Sequence, residues 1–253
     1  MRALFIIIIF FTHICSASTF SQLDYKIYKQ TKGMQNFLTI ELTISGNLDQ
    51  ELLLNLPSSW GASQYFANLQ NIRVLSPVNT ESKVQEQNLI IQMSQPAEKL
   101  QIAYDIITDN SDTSQVMNTI IASDLIQSPG YGLFALPNEA FNGQEINFSL
   151  QWENFPLDWH VVTPYGLARS LQFKQTADKM LHSPYIVGKM RVYQIYYPEV
   201  PVYLSIHGEF DLTDKEMIAS LEQIIKTQRS FFHDNNFAFY IIGTIQSLSL
   251  IHI

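Results

Sequence analysis

The chain has 253 residues, 46% of them hydrophobic and 15% charged, which excludes a disordered protein and allows one large domain or two small ones. Its formal net charge is −8. With no Lys/Arg cluster to neutralise phosphates, it is not expected to bind nucleic acid.

The first seventeen residues read as a secretory signal peptide. Arg2 supplies the positive start, and Ala3 to Phe11 is an unbroken apolar run. That run is long enough for a leader and too short to span a bilayer. Small residues follow at Cys15-Ser16-Ala17-Ser18, so cleavage is expected after Ala17 or Ser18. A lipoprotein reading of Cys15 is weaker because the large Ile14 precedes it. An uncleaved membrane anchor is the alternative. Cleavage would remove the only cysteine and leave no membrane span. The mature protein would be exported, to a periplasm or the extracellular space, and would rely on its core rather than on disulfides.

Residues 18–165 predict an antiparallel β-sandwich. Asp24–Lys29 alternates in polarity, and Phe37–Ile44 alternates more strongly, with Leu38, Ile40, Leu42 and Ile44 on one face. Further strands are expected at Ile72–Leu75, Leu89–Met93, Leu100–Ile107, Val116–Ala122 and Ile146–Trp152. Turn residues separate them at Ser45-Gly46-Asn47, Asp109-Asn110-Ser111, Ser128-Pro129-Gly130 and Asn142-Gly143. Short strands at this spacing favour a sandwich.

After Tyr165 the pattern changes. Residues 166–185 read as a connecting segment, with a helical turn or two at Thr176–His182 broken by Ser183-Pro184. Residues 186–253 read as the incomplete start of a second, α/β or α+β domain. Strands are expected at Met190–Tyr196 and Val200–Ile206. A helix then runs from Asp211 to about His233, opened by the capping box Thr213-Asp214-Lys215-Glu216. Its apolar positions are Met217, Ile218, Leu221, Ile224, Ile225 and Phe232. An apolar strand follows at Phe237–Ile245. The uncharged tail Ser247–Ile253 carries no stop signal, so a truncated chain is expected; a native edge strand is the alternative.

No complete catalytic constellation is visible. A zinc peptidase helix needs H-E-x-x-H, and no two of His13, His160, His182, His207, His233 and His252 have that spacing. His207-Gly208-Glu209 is the nearest approach to a metal cluster and reads better as a satisfied or solvated pair. His233 suits a helix C-terminus. Ser63 lacks the second glycine of a nucleophile elbow. No phosphate-binding glycine loop occurs, and the scattered carboxylates select no glycosidase pair. Asn147-Phe148-Ser149 is a glycosylation sequon inside an expected strand. Trp60, Tyr65 and Phe66, and then Trp152, Phe155 and Trp159, could form exposed binding platforms, but as neighbours of apolar strands they are expected to be buried. No catalytic, cofactor-binding or metal residue is therefore assigned.

Several segments together resemble the upstream half of the glycyl-aminopeptidase family, zinc peptidases of the gluzincin type that often carry a PDZ domain. Leu56-Pro57-Ser58-Ser59-Trp60-Gly61-Ala62-Ser63-Gln64-Tyr65 is similar to the family's Leu-Pro-x-Trp-x-Pro-Gly-x-Tyr block. It has one extra residue before Trp60, and Ala62-Ser63 replaces Pro-Gly. Asp178-Lys179-Met180-Leu181-His182-Ser183-Pro184-Tyr185-Ile186-Val187-Gly188 resembles the family's segment at the entrance to its catalytic domain. His207-Gly208, a helix and an aromatic strand then follow in the family's order. The resemblance covers about residues 24–246. It implies a β domain followed by the start of a thermolysin-like catalytic domain, with zinc and a peptide or protein substrate belonging to full-length relatives. It places no zinc ligand on this chain, so no peptidase activity is expected of it. The alternative is a complete exported β-sandwich module that binds protein or carbohydrate.

Overall fold

The structure, a computed structural model, describes residues 19–60, 63–108, 118–195, 202–232 and 240–245. The expected leader 1–17, the Asp109–Ser111 turn, the start of the Phe237–Ile245 strand, His233 and the tail Ser247–Ile253 lie outside the described residues.

In chain order the first strands are β1 (Thr19–Lys32), β2 (Gln35–Leu48), β3 (Glu51–Asn55), β4 (Ser59–Trp60) and β5 (Ser63–Gln64). Next come β6 (Leu69–Ser76), β7 (Glu81–Gln85), β8 (Asn88–Gln92) and β9 (Ala97–Ile106). β10 (Ile120–Ile121), β11 (Leu125–Pro129), β12 (Leu136–Pro137), β13 (Glu145–Glu153), β14 (His160–Val162) and β15 (Ser170–Thr176) precede the short helix α1 (Ala177–His182). The chain continues through β16 (Pro184–Gly188), β17 (Arg191–Ile195), β18 (Val202–His207), α2 (Asp214–Phe232) and β19 (Tyr240–Ile245).

Six strands form the main sheet in the order β15-β13-β1-β2-β9-β6, antiparallel except for the β1–β13 pair. Alternation fixes its inner face. Leu23, Tyr25 and Ile27 of β1 and Leu38, Ile40, Leu42 and Ile44 of β2 are fully buried. The register sets them in rows across the sheet: Trp152, Ile27, Ile40 and Tyr104 in one, Leu150, Tyr25, Leu42 and Ile102 in the next. A slip of one residue would turn every one of these side chains to solvent, so burial itself specifies the pairing. The opposing layer, β12-β3-β8-β7, contributes Leu52, Leu54, Leu89 and Ile91 to the same core. The first unit is thus a β-sandwich.

Three expectations change. Ser45-Gly46-Asn47 is not a turn: β2 runs through it to Leu48, with a register shift in each neighbouring ladder. Gly46 has φ +151°, and a Cβ there would stand 2.0 Å from the Thr19 carbonyl, so glycine permits a bulge rather than a reversal. Of Val116–Ala122, only Ile120–Ile121 is strand among the described residues. Residues 166–185, read as a connecting segment, supply the edge strand β15, α1 and the first two residues of β16. Thr176 caps α1 by accepting from the Lys179 N–H, and Ala177, Met180 and Leu181 enter the sandwich core.

A third sheet, β10-β11-β16-β14, adds Ile121, Ile126, Val161, Tyr185 and Val187 to the same core. Beyond it lies a three-stranded sheet, β17-β18-β19, in which β18 and β19 are parallel and α2 forms the connection between them. The capping box is present: Thr213 N–H donates to Glu216 at 2.8 Å, and Glu216 N–H donates to the Thr213 hydroxyl at 3.3 Å. Met217, Ile218, Leu221 and Ile225 pack on Ile195, Val202, Leu204 and Ile206. Ile224, expected on that face, is half exposed. The fold is mainly β with a terminal strand–helix–strand unit, in agreement with the expected class.

The stretch from Pro129 to Pro137 crosses the core without regular structure for much of its length, and tyrosine hydroxyls satisfy it. Tyr25 Oη donates to the Ala135 carbonyl at 2.8 Å. Tyr104 Oη donates to the Leu133 carbonyl at 2.8 Å and accepts the Ala135 N–H at 3.0 Å. Burial pushes both phenols above their ordinary range. Replacing Tyr104 with Phe removes both bonds and strands a buried N–H and a buried carbonyl. We expect Tyr104→Phe to destabilise the protein by about 2–4 kcal/mol in urea unfolding, roughly 1–3 kcal/mol for each unsatisfied group.

Candidate functional site

Two places combine polar groups with a defined shape. The first is the boundary between the sandwich and the terminal unit. His207 ends β18, and its Nε2 lies 3.3 Å from Oδ2 of Asp124, in the β10–β11 turn. Its Nδ1 is buried with no hydrogen-bond partner among the described residues. Asp124 also takes the Lys189 N–H on its backbone carbonyl at 2.8 Å. Gly188 makes that approach possible, because a Cβ there would come within 2.6 Å of the same carbonyl. The glycine at the end of the Asp178–Gly188 segment thereby gains a packing role.

His207-Gly208-Glu209 does not assemble into a metal centre. Glu209 is exposed past the strand end, and the partner of His207 comes from another sheet. Among the described residues no three His, Cys, Asp or Glu side chains converge on a point. A structural or catalytic zinc needs three or four protein ligands. One imidazole and one largely exposed carboxylate do not fit it.

A few residues away, Arg191 grips the start of α2. Its Nε and one terminal nitrogen donate to the two Asp214 carboxylate oxygens at 2.7 and 3.0 Å. The same terminal nitrogen reaches the Gly208 carbonyl at 3.1 Å. Tyr193, two residues along β17 and so on the same face, donates to Asp214 at 2.6 Å. A bidentate guanidinium on a carboxylate at a helix N-terminus satisfies the helix dipole and the ion pair together. Those bonds, that of Arg191 first and that of Tyr193 second, hold the Asp214 carboxyl below its ordinary range. The cluster fastens the start of a helix. Sequence reading placed Asp214 in the capping box but could not find Arg191, because a partner twenty-three residues away carries no local signal.

The second place is a cavity of about 300 Å³ in the sandwich. Leu56, Phe134, Leu136 and Leu181 form its buried floor. Tyr131 and Phe141 stand at its lip, and Asn55, Ser58 and Asn138 line its rim. The 3-10 turn Asn138–Phe141, directly after β12, sets Phe141 and Asn138 at the opening.

The other sequence candidates fall elsewhere. Trp152, Phe155 and Trp159 are buried and in ring contact. Arg169 donates to the carbonyls of Phe155, Pro156 and Trp159, which fixes their loop. Tyr65 is buried, and its N–H closes on the Ser58 carbonyl across the β4–β5 pair. Neither Tyr65 nor the Trp152 cluster is an exposed ring platform. His160 is exposed, and His182 turns back onto Asp178 within α1. Asn147 is exposed on β13 and donates to the Ser21 carbonyl at 2.9 Å. Among the described residues no helix is long and apolar enough to cross a membrane.

No family model and no curated protein matches the sequence. Solved structures match the fold. An aminopeptidase N family protein from Idiomarina loihiensis superposes with a TM-score of 0.70 at 19% identity, over 88% of this chain and 39% of that one. An M1 zinc metallopeptidase from Deinococcus radiodurans gives a TM-score of 0.50 at 10% identity, over 89% of this chain and 56% of that one. The chain therefore spans less than two thirds of the length of either protein. Its fold is similar to the N-terminal part of these metallopeptidases.

The Arg191–Asp214 pair yields a signed prediction. A carboxyl with a depressed folded pKa contributes stability above its unfolded pKa of about 3.9, and that contribution is lost as pH falls through the folded value. In a carbon-detected NMR titration Asp214 should titrate below about 3.9. Arg191→Ala should move its midpoint upward, and an unchanged midpoint would show that the pair is not formed in solution.

Proposed function

We propose that this chain is the substrate-cleft side, rather than the catalytic centre, of an exported zinc metallopeptidase of aminopeptidase type. The observation that carries the reading is the fold likeness to the Idiomarina loihiensis protein across most of the chain. The order of units adds to it: a β-sandwich comes first, then a strand–helix–strand unit of the kind that opens a thermolysin-like domain. The finer reading, a relative of the glycyl-aminopeptidase branch that often carries a PDZ domain, is supported by Leu56–Tyr65 and Asp178–Gly188. In the structure these two segments carry the β4–β5 pair and the α1–β16 passage.

The 253 residues contain no H-E-x-x-H. Their part in such a protein is to bind and to shape, with peptide or protein as the class of substrate. The sandwich supplies a stiff wall, because its core is mainly apolar and tyrosine hydroxyls hydrogen-bond the irregular backbone at Leu133 and Ala135. The strand–helix–strand unit joins the rest through Met190 and Val192, which pack with Leu125, Val162 and Ile186 of the third sheet. Export follows from the leader at residues 1–17.

The chain as it stands is expected to retain less than stoichiometric zinc after dialysis and to release no amino acid from Gly- or Ala-initiated peptides. Stoichiometric zinc together with cleavage of those peptides overturns the reading. Expressed with its leader in a secreting host, the protein should begin at Ser18 or Thr19 by N-terminal sequencing. Recovery of an intact Met1 in the cytoplasmic fraction would count against export.

A further inference from the structure

The sandwich cavity has a chemistry that nothing above uses. Its floor is wholly apolar, made by Leu56, Phe134, Leu136 and Leu181. Among the described residues no charged side chain lines it. Its rim carries two carboxamides, with Asn55 Nδ2 3.4 Å from Asn138 Oδ1. That single long contact leaves each amide with a donor and an acceptor to spare. Phe141, 44% exposed at the lip, is a large ring held beside an opening rather than folded over it.

These features restrict the occupant. A volume of about 300 Å³ is at the lower end of ligand pockets, which suits one ring or one branched chain. A charged group would lose its hydration there and meet no countercharge, so charge is disfavoured. A carboxamide presents the same donor and acceptor as a peptide group and can pair with one. We propose that this cavity is a docking site for an uncharged apolar side chain of an extended polypeptide, of phenylalanine or leucine size. The side chain fills the floor, and Asn55 and Asn138 hydrogen-bond the peptide groups beside it. The choice of polypeptide as the source rests on the peptidase-type reading; the size and neutrality of the occupant do not.

The test is direct binding to the leader-less chain by saturation-transfer NMR and by shifts of the Asn side-chain amides. The probes are acetylated, amidated Gly-Gly-X-Gly-Gly peptides with X as Phe, Leu, Lys or Asp, and benzyl alcohol as a free aromatic. The Phe and Leu peptides should bind at least about tenfold more tightly than the Lys and Asp peptides. Phe141→Ala and Asn138→Ala, both on exposed side chains and checked for folding by circular dichroism, should each weaken the Phe peptide about fivefold. Val78→Ala, an exposed change that does not line the cavity, should leave binding unaltered. Equal binding of apolar and charged peptides, no binding of any peptide, or no effect of Phe141→Ala and Asn138→Ala overturns the proposal. Benzyl alcohol binding as tightly as the Phe peptide overturns the polypeptide assignment. The readout needs neither zinc nor hydrolysis, so it can fail while the peptidase-type reading stands, and the reverse.

Discussion

Irregular backbone inside an apolar core has to find hydrogen bonds, and here buried tyrosines provide them. Tyr25 and Tyr104 reach from the inner face of the main sheet to Leu133 and Ala135. Tyr185, also fully buried, donates to the Met180 carbonyl at 3.0 Å. Between them Phe134 packs edge-on to both Tyr25 and Tyr185. With those bonds made, the chain can pass through the sandwich instead of around it. The position of β12 against β3, the seat of α1 and the floor of the cavity all depend on that passage. Gly130 shows how close the packing is, since a Cβ there would meet the Met180 carbonyl at 2.3 Å.

The boundary with the terminal unit is built differently. Its polar contact, His207 with Asp124, has a carboxylate that is 56% exposed on one side. Such contacts orient more than they stabilise, because solvent screens them and ordering long side chains costs entropy. The apolar cluster in which Met190 and Val192 pack against Leu125, Val162 and Ile186 carries the attachment. The close fit of Gly188 and Gly243 against their neighbours adds shape to it. The two units are therefore held mainly by packing.

That division bears on function. Nothing in the described residues gathers the donors a catalytic metal requires, and the sequence lacks the helix motif that would supply them. What the fold does supply is a stiff sandwich with a small cavity lined by uncharged side chains.

Strand alternation in Phe37–Ile44 and the Thr213–Glu216 capping box were legible because both depend on neighbours within a few residues. So was the fate of Trp152, Phe155 and Trp159, whose place beside an apolar strand predicts burial. Ser45-Gly46-Asn47 looked like a turn because turns and bulges share glycine, and only the pairing of β2 with β1 and β9 distinguishes them. β7 escaped notice because all five of its residues are exposed, so no buried face marks it. β15 is an edge strand in a stretch that read as a connection. The cavity was invisible for a related reason: its walls come from residues 55–58, 131–141 and 181, far apart in sequence. The sequence by itself determined the β class, the terminal helix and the absence of a zinc motif, all local properties of composition and spacing. Tertiary structure alone decided which polar groups meet across the boundary and where an apolar hollow remains, because both depend on contacts between distant segments.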